Sequence, residues 1–392
     1  MKICDITQFY SPVGGGVRRY ITEKRKFIES QTSHEHMLVI PGARTEMFHD
    51  GRLTLCTVAS PPINRTSRYR ILFNVRQAED FIRSQKPDII EVGDPYHVAW
   101  RMSTIADEMQ IPVVGFYHSH FPEAYLRTLF KYCGRWLRDL GMAYAEDYIA
   151  RLYSSFDATL VPSSFLCEVL KEYGVMNTAH FHLGINTALF YPAKPTRVSR
   201  VALGLPEGKI LLLYIGRLAG EKNTAVLMET FYLLNEKYPG QFAFLVVGDG
   251  QLRNTVRAAS GDIPDFRWIS YCDDQEMLAD YYRLADLFVH PGVCETFGLV
   301  SLESQACGRP VVGIRGSYMD ANILAGLELW AHRNTPEDLA DSISRFTFAD
   351  RTTIGAEASR KVLELFSWNT VFDKMFSFYE GLIAGKKRVL EV

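Results

Sequence analysis

The chain's 392 residues exceed what a single core of roughly 100–200 residues serves, so two domains are expected. Apolar residues make up 47% and charged residues 22%, which excludes a disordered chain, and the net charge of -2 gives no electrostatic reason to expect nucleic acid as a partner. Seven cysteines without a C-x-x-C pair predict neither a disulfide framework nor a zinc site, and reduced thiols in the cytoplasm are the expectation.

The first residues lack the apolar core of a signal peptide, and no run of about 18 apolar residues occurs, so neither export nor membrane spanning is predicted. Apolar runs at 2–6, 37–40, 88–91, 113–117 and 158–161 read as strands. The stretches 16–29, 67–85 and 98–109 between them have helical length. Strands alternating with helices predict a parallel sheet covered on its faces. Directly after the first strand stands Ser11-Pro-Val-Gly14-Gly15-Gly16-Val17, whose glycines let the backbone approach a ligand. A dinucleotide fingerprint needs a further glycine where Arg19 stands, so a dehydrogenase is disfavoured.

The strand at 113–117 runs out through Gly115-Phe-Tyr-His118-Ser-His120-Phe-Pro122, at the carboxyl end where open α/β sheets place their ligands. A histidine here can hydrogen-bond a sugar hydroxyl, or it can be a structural loop residue. A metal pair is not predicted here. Residues 124–152 mix Arg and Lys with Leu, Trp and Tyr at helical spacing, which suits either packing on the sheet or a peripheral contact with a membrane surface.

A proline-rich stretch at 191–206 reads as a connection, dividing the chain into domains 1–192 and 193–369 with a terminal helix over 370–392. Strands are predicted again at 210–215, 242–247, 266–269, 287–290 and 310–314. The first exits through Tyr214-Ile-Gly-Arg217-Leu-Ala-Gly-Glu221-Lys222-Asn223, where Arg217 and Lys222 can converge on a diphosphate or can be two solvated side chains. The fourth leads through His290-Pro291-Gly292 to Glu295-Thr-Phe-Gly-Leu-Val-Ser-Leu-Glu303. Helix-start amides around Phe297, Gly298, Leu299 and Val300 can bind a pyrophosphate there, and a carboxylate further along can accept from ribose hydroxyls.

These motifs, with VPSSF at 161–165, VVGDGQLR at 246–253 and the helix start FSW at 366–368, make the whole chain resemble the retaining glycosyltransferases of family 4. The resemblance implies the α/β GT-B fold, two Rossmann-like domains facing each other across a cleft, with the last helix crossing back to the N-terminal domain. It implies a nucleotide-sugar donor, UDP- or GDP-linked, in the C-terminal domain and a hydroxyl acceptor such as a glycan, lipid or polyol in the N-terminal one. The hexose would be glucose or mannose, transferred with retention and without a metal or other cofactor. By motif, Arg217 and Lys222 would hold the diphosphate, Glu303 the ribose and Glu295 the sugar hydroxyls. His118 would face the sugar from the other domain, and Gly15 and Gly16 would line the phosphates. The chain departs from the family at Ser270, where a glycine is usual, and at Gly316-Ser-Tyr-Met-Asp320, where G-G-x-P-E is usual. A sugar-nucleotide epimerase and a non-catalytic sugar-nucleotide binder remain the other readings.

Overall fold

Uninterrupted apolar runs have nowhere to go but a strand buried on both faces, and they form the centre of two parallel sheets. A computed structural model describes residues 1–8, 10, 16–63, 70–118, 120 and 135–390. Contacts divide the chain into one unit of 1–184 with 368 onward and a second of 185–367. The first boundary therefore falls earlier than the prolines suggest. Ile185 already donates its amide to Phe366 O at 2.7 Å, and Phe190 sits edge-on to Tyr282 inside the second unit.

The first unit runs β1 (Lys2–Ile6), α1 (Gly16–Gln31), β2 (Glu35–Gly42), β3 (Glu46–Asp50), β4 (Leu53–Ala59), α2 (Val75–Gln85), β5 (Ile89–Val92), α3 (His97–Met109), β6 (Val113–Phe116), α4 (Arg135–Ser154), β7 (Ala158–Val161), α5 (Ser164–Glu172) and β8 (Thr178–His180). Its sheet order is β3-β4-β2-β1-β5-β6-β7-β8, parallel except where β3 runs against β4. The β3–β4 hairpin is not apparent as an apolar run because β3 is a largely exposed edge. Its signal is Asp50-Gly51, with Gly51 at φ 56°. The helix expected over 67–85 begins only at Val75, where the Asn74 side chain accepts from Gln77 N; residues 67–69 lie outside the described residues.

The second unit runs β9 (Ile210–Ile215), α6 (Thr224–Lys237), β10 (Phe242–Val247), α7 (Arg253–Asp262), β11 (Phe266–Ile269), α8 (Gln275–Leu284), β12 (Leu287–His290), α9 (Leu299–Ala306), β13 (Val311–Gly313), α10 (Pro336–Phe348) and α11 (Arg351–Leu365). Its five strands, ordered β11-β10-β9-β12-β13, are all parallel. The chain ends in α12 (Trp368–Leu390), which belongs to the first unit. Trp368, Phe372 and Phe376 recur every fourth residue and stack in series at 5.1 and 6.0 Å, meeting Tyr20 and Phe27 of α1.

Beneath this seam the first unit buries a charged cluster. Lys24 of α1 is 0% exposed, its Nζ 2.9 and 3.0 Å from the Asp5 oxygens on β1 and 2.5 Å from Glu91 Oε2 on β5. His36 Nε2 lies 3.0 Å from Asp5 Oδ2, while Tyr20 and, from α12, Tyr379 donate to Glu91. Burial would raise the Asp5 carboxyl, but Lys24 and then His36 outweigh it and hold it at about 2; Glu91 is raised by burial and by Asp5. Removing the single cation leaves two buried carboxylates against each other. Lys24→Met is therefore expected to cost about 3–5 kcal/mol in urea unfolding, and a loss under about 1 kcal/mol would show that the cluster is not held by Lys24.

Candidate functional site

In the second unit the chain winds from β9 to β10 and β11 on one side, then returns to β12 and β13 on the other. The carboxyl ends of β9 and β12 are the topological switch point, where neighbouring loops leave in opposite directions and open a crevice. Both glutamate and lysine motifs are on these two loops. The β9 loop is pressed against the β10 loop: Gly216 N donates to Val247 O, and a Cβ on Gly248, at φ 152°, would stand 1.9 Å from Gly216 O. That contact admits only glycine.

Asn223, in the left-handed region at φ 58°, joins the two loops by donating Nδ2 to Pro291 O at 2.9 Å. Beside it Lys222 Nζ ion-pairs with Glu295 Oε2, and His290 Nε2 stands 3.7 Å from the same oxygen. Burial raises the Glu295 carboxyl, yet Lys222 and then His290 outweigh it and hold the group well below the usual carboxylate range, so it is ionised. The Glu295 carbonyl accepts from Met319 N at 3.2 Å and Ser317 Oγ at 3.1 Å. The segment that departs from the family pattern, 316–320, thus clamps the glutamate's backbone; Asp320 Oδ2 in turn accepts from Gly316 N at 2.9 Å.

Phe297 is buried and its carbonyl accepts from Asn322 Nδ2 at 2.9 Å, fixing the turn into α9. Gly298 makes that turn at φ 76°, and its carbonyl takes the amides of Ser301 and Leu302. The helix leaves the Leu299 and Val300 amides ahead of its first internal bonds, where an anion is favoured. Glu303, in the second turn, is 2% exposed and accepts from Tyr282 OH at 3.0 Å. Arg217 is well exposed and pairs with Glu221 at 3.1 Å. The structure therefore brings Lys222 to Glu295 and leaves Arg217 on its own loop. The crevice offers the Lys222 cation and helix amides for a diphosphate, and an ionised carboxylate for hydroxyls.

In the first unit the switch point lies between β1 and β5. Gln8 N donates to Asp94 Oδ2 at 2.5 Å there, Gly16 opens α1, and Gly15 lies outside the described residues. His118, two residues past β6, stacks on Phe116 at 4.1 Å and meets Tyr20 edge-on at 5.3 Å. Desolvation and then the Lys24 charge push its imidazole well below the usual histidine range, so it is a neutral hydrogen-bonding group.

Sequence reasoning passed over His290, Asn223 and Tyr282. The first lies inside a motif read only as a turn, and nothing in the spacing of Asn223 or Tyr282 says that folding brings them to Pro291 and Glu303.

Residues 14–189 match the family model described as Glycosyltransferase Family 4, and residues 209–347 the model described as Glycosyl transferases group 1. A GDP-mannose-dependent alpha-(1-6)-phosphatidylinositol dimannoside mannosyltransferase of Mycobacterium tuberculosis is 27% identical over 96% of this chain and 95% of its own. An alpha-monoglucosyldiacylglycerol synthase of Streptococcus pneumoniae is 25% identical over 94% of this chain and 83% of its own. The solved sucrose-phosphate synthase of Thermosynechococcus elongatus superposes with a TM-score of 0.77 at 20% identity, covering 98% of this chain and 99% of that one.

A Cβ at Gly298 would meet Met319 Sδ at 2.5 Å as well as occupy a left-handed backbone. Gly298→Ala is thus expected to lose at least about 1 kcal/mol of stability in chemical denaturation, and an unchanged midpoint would show that this turn accepts a side chain.

Proposed function

Because the chain is a hexosyltransferase of the family 4 type with the GT-B fold, we propose that it moves mannose from GDP-mannose, with retention, to a hydroxyl of a lipid-linked acceptor. The observation that carries the donor half is the Lys222–Glu295 pair at the β9/β12 switch point, beside the amides that open α9. Lys222, joined by Arg217 when its exposed side chain turns in, would neutralise the diphosphate, and Glu295 would accept from the hexose hydroxyls. Buried Glu303 is assigned to the ribose. His118, held neutral, would hydrogen-bond a sugar hydroxyl. Mannose rather than glucose is supported by the GDP-mannose dependence named for a relative that spans nearly the whole chain.

In the reaction the bond from the anomeric carbon to the diphosphate breaks as the bond to the acceptor oxygen forms on the same face. The acceptor's proton passes to a donor phosphate oxygen, and GDP leaves carrying it. With cationic side chains and helix amides supplying the positive charge, no metal is needed for this step.

A lipid acceptor is supported by two relatives whose names carry phosphatidylinositol and diacylglycerol, and by α4. One face of α4 packs inward through Ala145, Ile149 and Leu152, while Trp136 and Tyr144 are each 73% exposed, with Leu137 and Leu140 beside them. Arg127, Lys131, Arg135 and Arg138 stand against Asp139 alone over 124–140. Tryptophan, tyrosine and cations together suit the interface of an anionic bilayer. Among the described residues no helix is long and apolar enough to cross a membrane.

Two outcomes are expected. Lys222→Ala should lower kcat/KM for GDP-mannose by about 30- to 1000-fold with the fold intact, and the wild type should keep its rate in EDTA. A near-normal rate in the variant, or loss on chelation restored by Mg²⁺, would overturn the diphosphate assignment, and turnover of UDP-glucose instead would overturn the choice of donor. The chain should also sediment with vesicles containing anionic phospholipid, and Trp136→Ala with Tyr144→Ala should release most of it; equal binding by the variant would remove α4 as the contact.

A further inference from the structure

His290 closes β12 and is buried, ringed by Phe288 at 6.4 Å and by Gly292, where a Cβ would come within 3.0 Å of its Cε1. Its Nε2 points to Glu295 Oε2, and its Nδ1, also buried, has no hydrogen-bond partner among the described residues. Two groups therefore address one carboxylate oxygen: Lys222, whose side chain is 27% exposed, and His290, at 5%. The lysine is long and free to swing, whereas the imidazole is fixed by its packing.

On the donor-site reading above, the pair cannot stay as it stands. Lys222 must turn to the diphosphate just as Glu295 takes up the sugar hydroxyls. A partly buried carboxylate that loses its cation needs another donor, or it rises in pKa and loses its acceptor character. His290 Nε2 is the donor within reach. At 3.7 Å it is outside hydrogen-bond range, and a carboxylate shift of about 0.5 Å would bring it inside. We propose that His290 is a positioning residue, taking the Glu295 carboxylate when Lys222 releases it to the donor diphosphate and so fixing that carboxylate against the transferred hexose. The inference rests on the donor-site reading. A neutral ring suffices: Nε2–H donates to Glu295, and the lone pair on Nδ1 is left to accept from a water or a substrate hydroxyl.

The test compares wild type, His290→Ala and His290→Gln, the glutamine supplying an amide donor near the place of Nε2. The handover predicts that His290→Ala lowers kcat about 10- to 100-fold while the Kd for GDP alone stays within about threefold, and that His290→Gln restores most of the rate. A normal kcat in His290→Ala, or equal loss of rate and GDP affinity in both variants, would overturn it. If the alanine variant misfolds, the wild type decides. With its histidines isotopically labelled, the Nε2–H resonance of His290 should move toward a stronger hydrogen bond on addition of GDP, and an unmoved resonance under saturating GDP would overturn the handover. A wild type that binds no nucleoside diphosphate and turns over no nucleotide sugar would fail the donor-site reading itself, whereas an active wild type with an indifferent His290→Ala would fail only the handover.

Discussion

The second unit is organised by one constraint: β9 and β12 lie side by side, but the chain leaves them in opposite directions. Their carboxyl ends cannot be covered by the same crossover, so the crevice between them is closed by side chains. Asn223 bridging to Pro291 and Lys222 bridging to Glu295 perform that closure. The Asn223 side-chain bond to the Pro291 carbonyl holds the two loops together, and the ion pair beside it is the part able to open. A carboxylate held ionised by a cation is also a carboxylate ready to accept hydroxyls once that cation has another anion to meet. The proposed donor chemistry would thus use the same ion pair that closes the crevice.

The first unit meets the equivalent problem differently. Between β1 and β5 it places Asp5 and Glu91 below the switch point with buried Lys24 shared between them, and Tyr379 from the chain's last helix donates to Glu91. Desolvating three charges is expensive, and the cluster is held by Lys24 and His36 on the Asp5 oxygens and by Lys24, Tyr20 and Tyr379 on Glu91 Oε2. The same seam supplies the surroundings of His118: Tyr20, which donates to Glu91, is also the ring that meets His118 edge-on. Burial among these rings, and after it the charge of Lys24, keeps a histidine neutral at the sheet's carboxyl edge.

Much of this was legible in the residues. The central strands were, because a parallel sheet buried on both faces requires uninterrupted apolar runs, and 210–215 and 242–247 carry them. The exposed hairpin strand Glu46–Asp50 was not, since an edge needs no apolar run and only Asp50-Gly51 marks it. Lys222 and Glu295 could be picked out singly from their loops, but their pairing depends on β12 lying beside β9 and not beside β11, a matter of strand order that local pattern does not carry. Tyr282 was hidden for the same reason, since only the fold brings it to Glu303, whereas His290 stands on the same loop as Glu295 but in a motif read as a turn.

The donor crevice is tested most directly by a crystal structure of the full chain with GDP bound. The diphosphate is expected against Lys222 and the amides of Leu299 and Val300, with the ribose at Glu303 and the Lys222–Glu295 contact opened. GDP bound away from the β9/β12 switch point, with Lys222 still on Glu295, would contradict it.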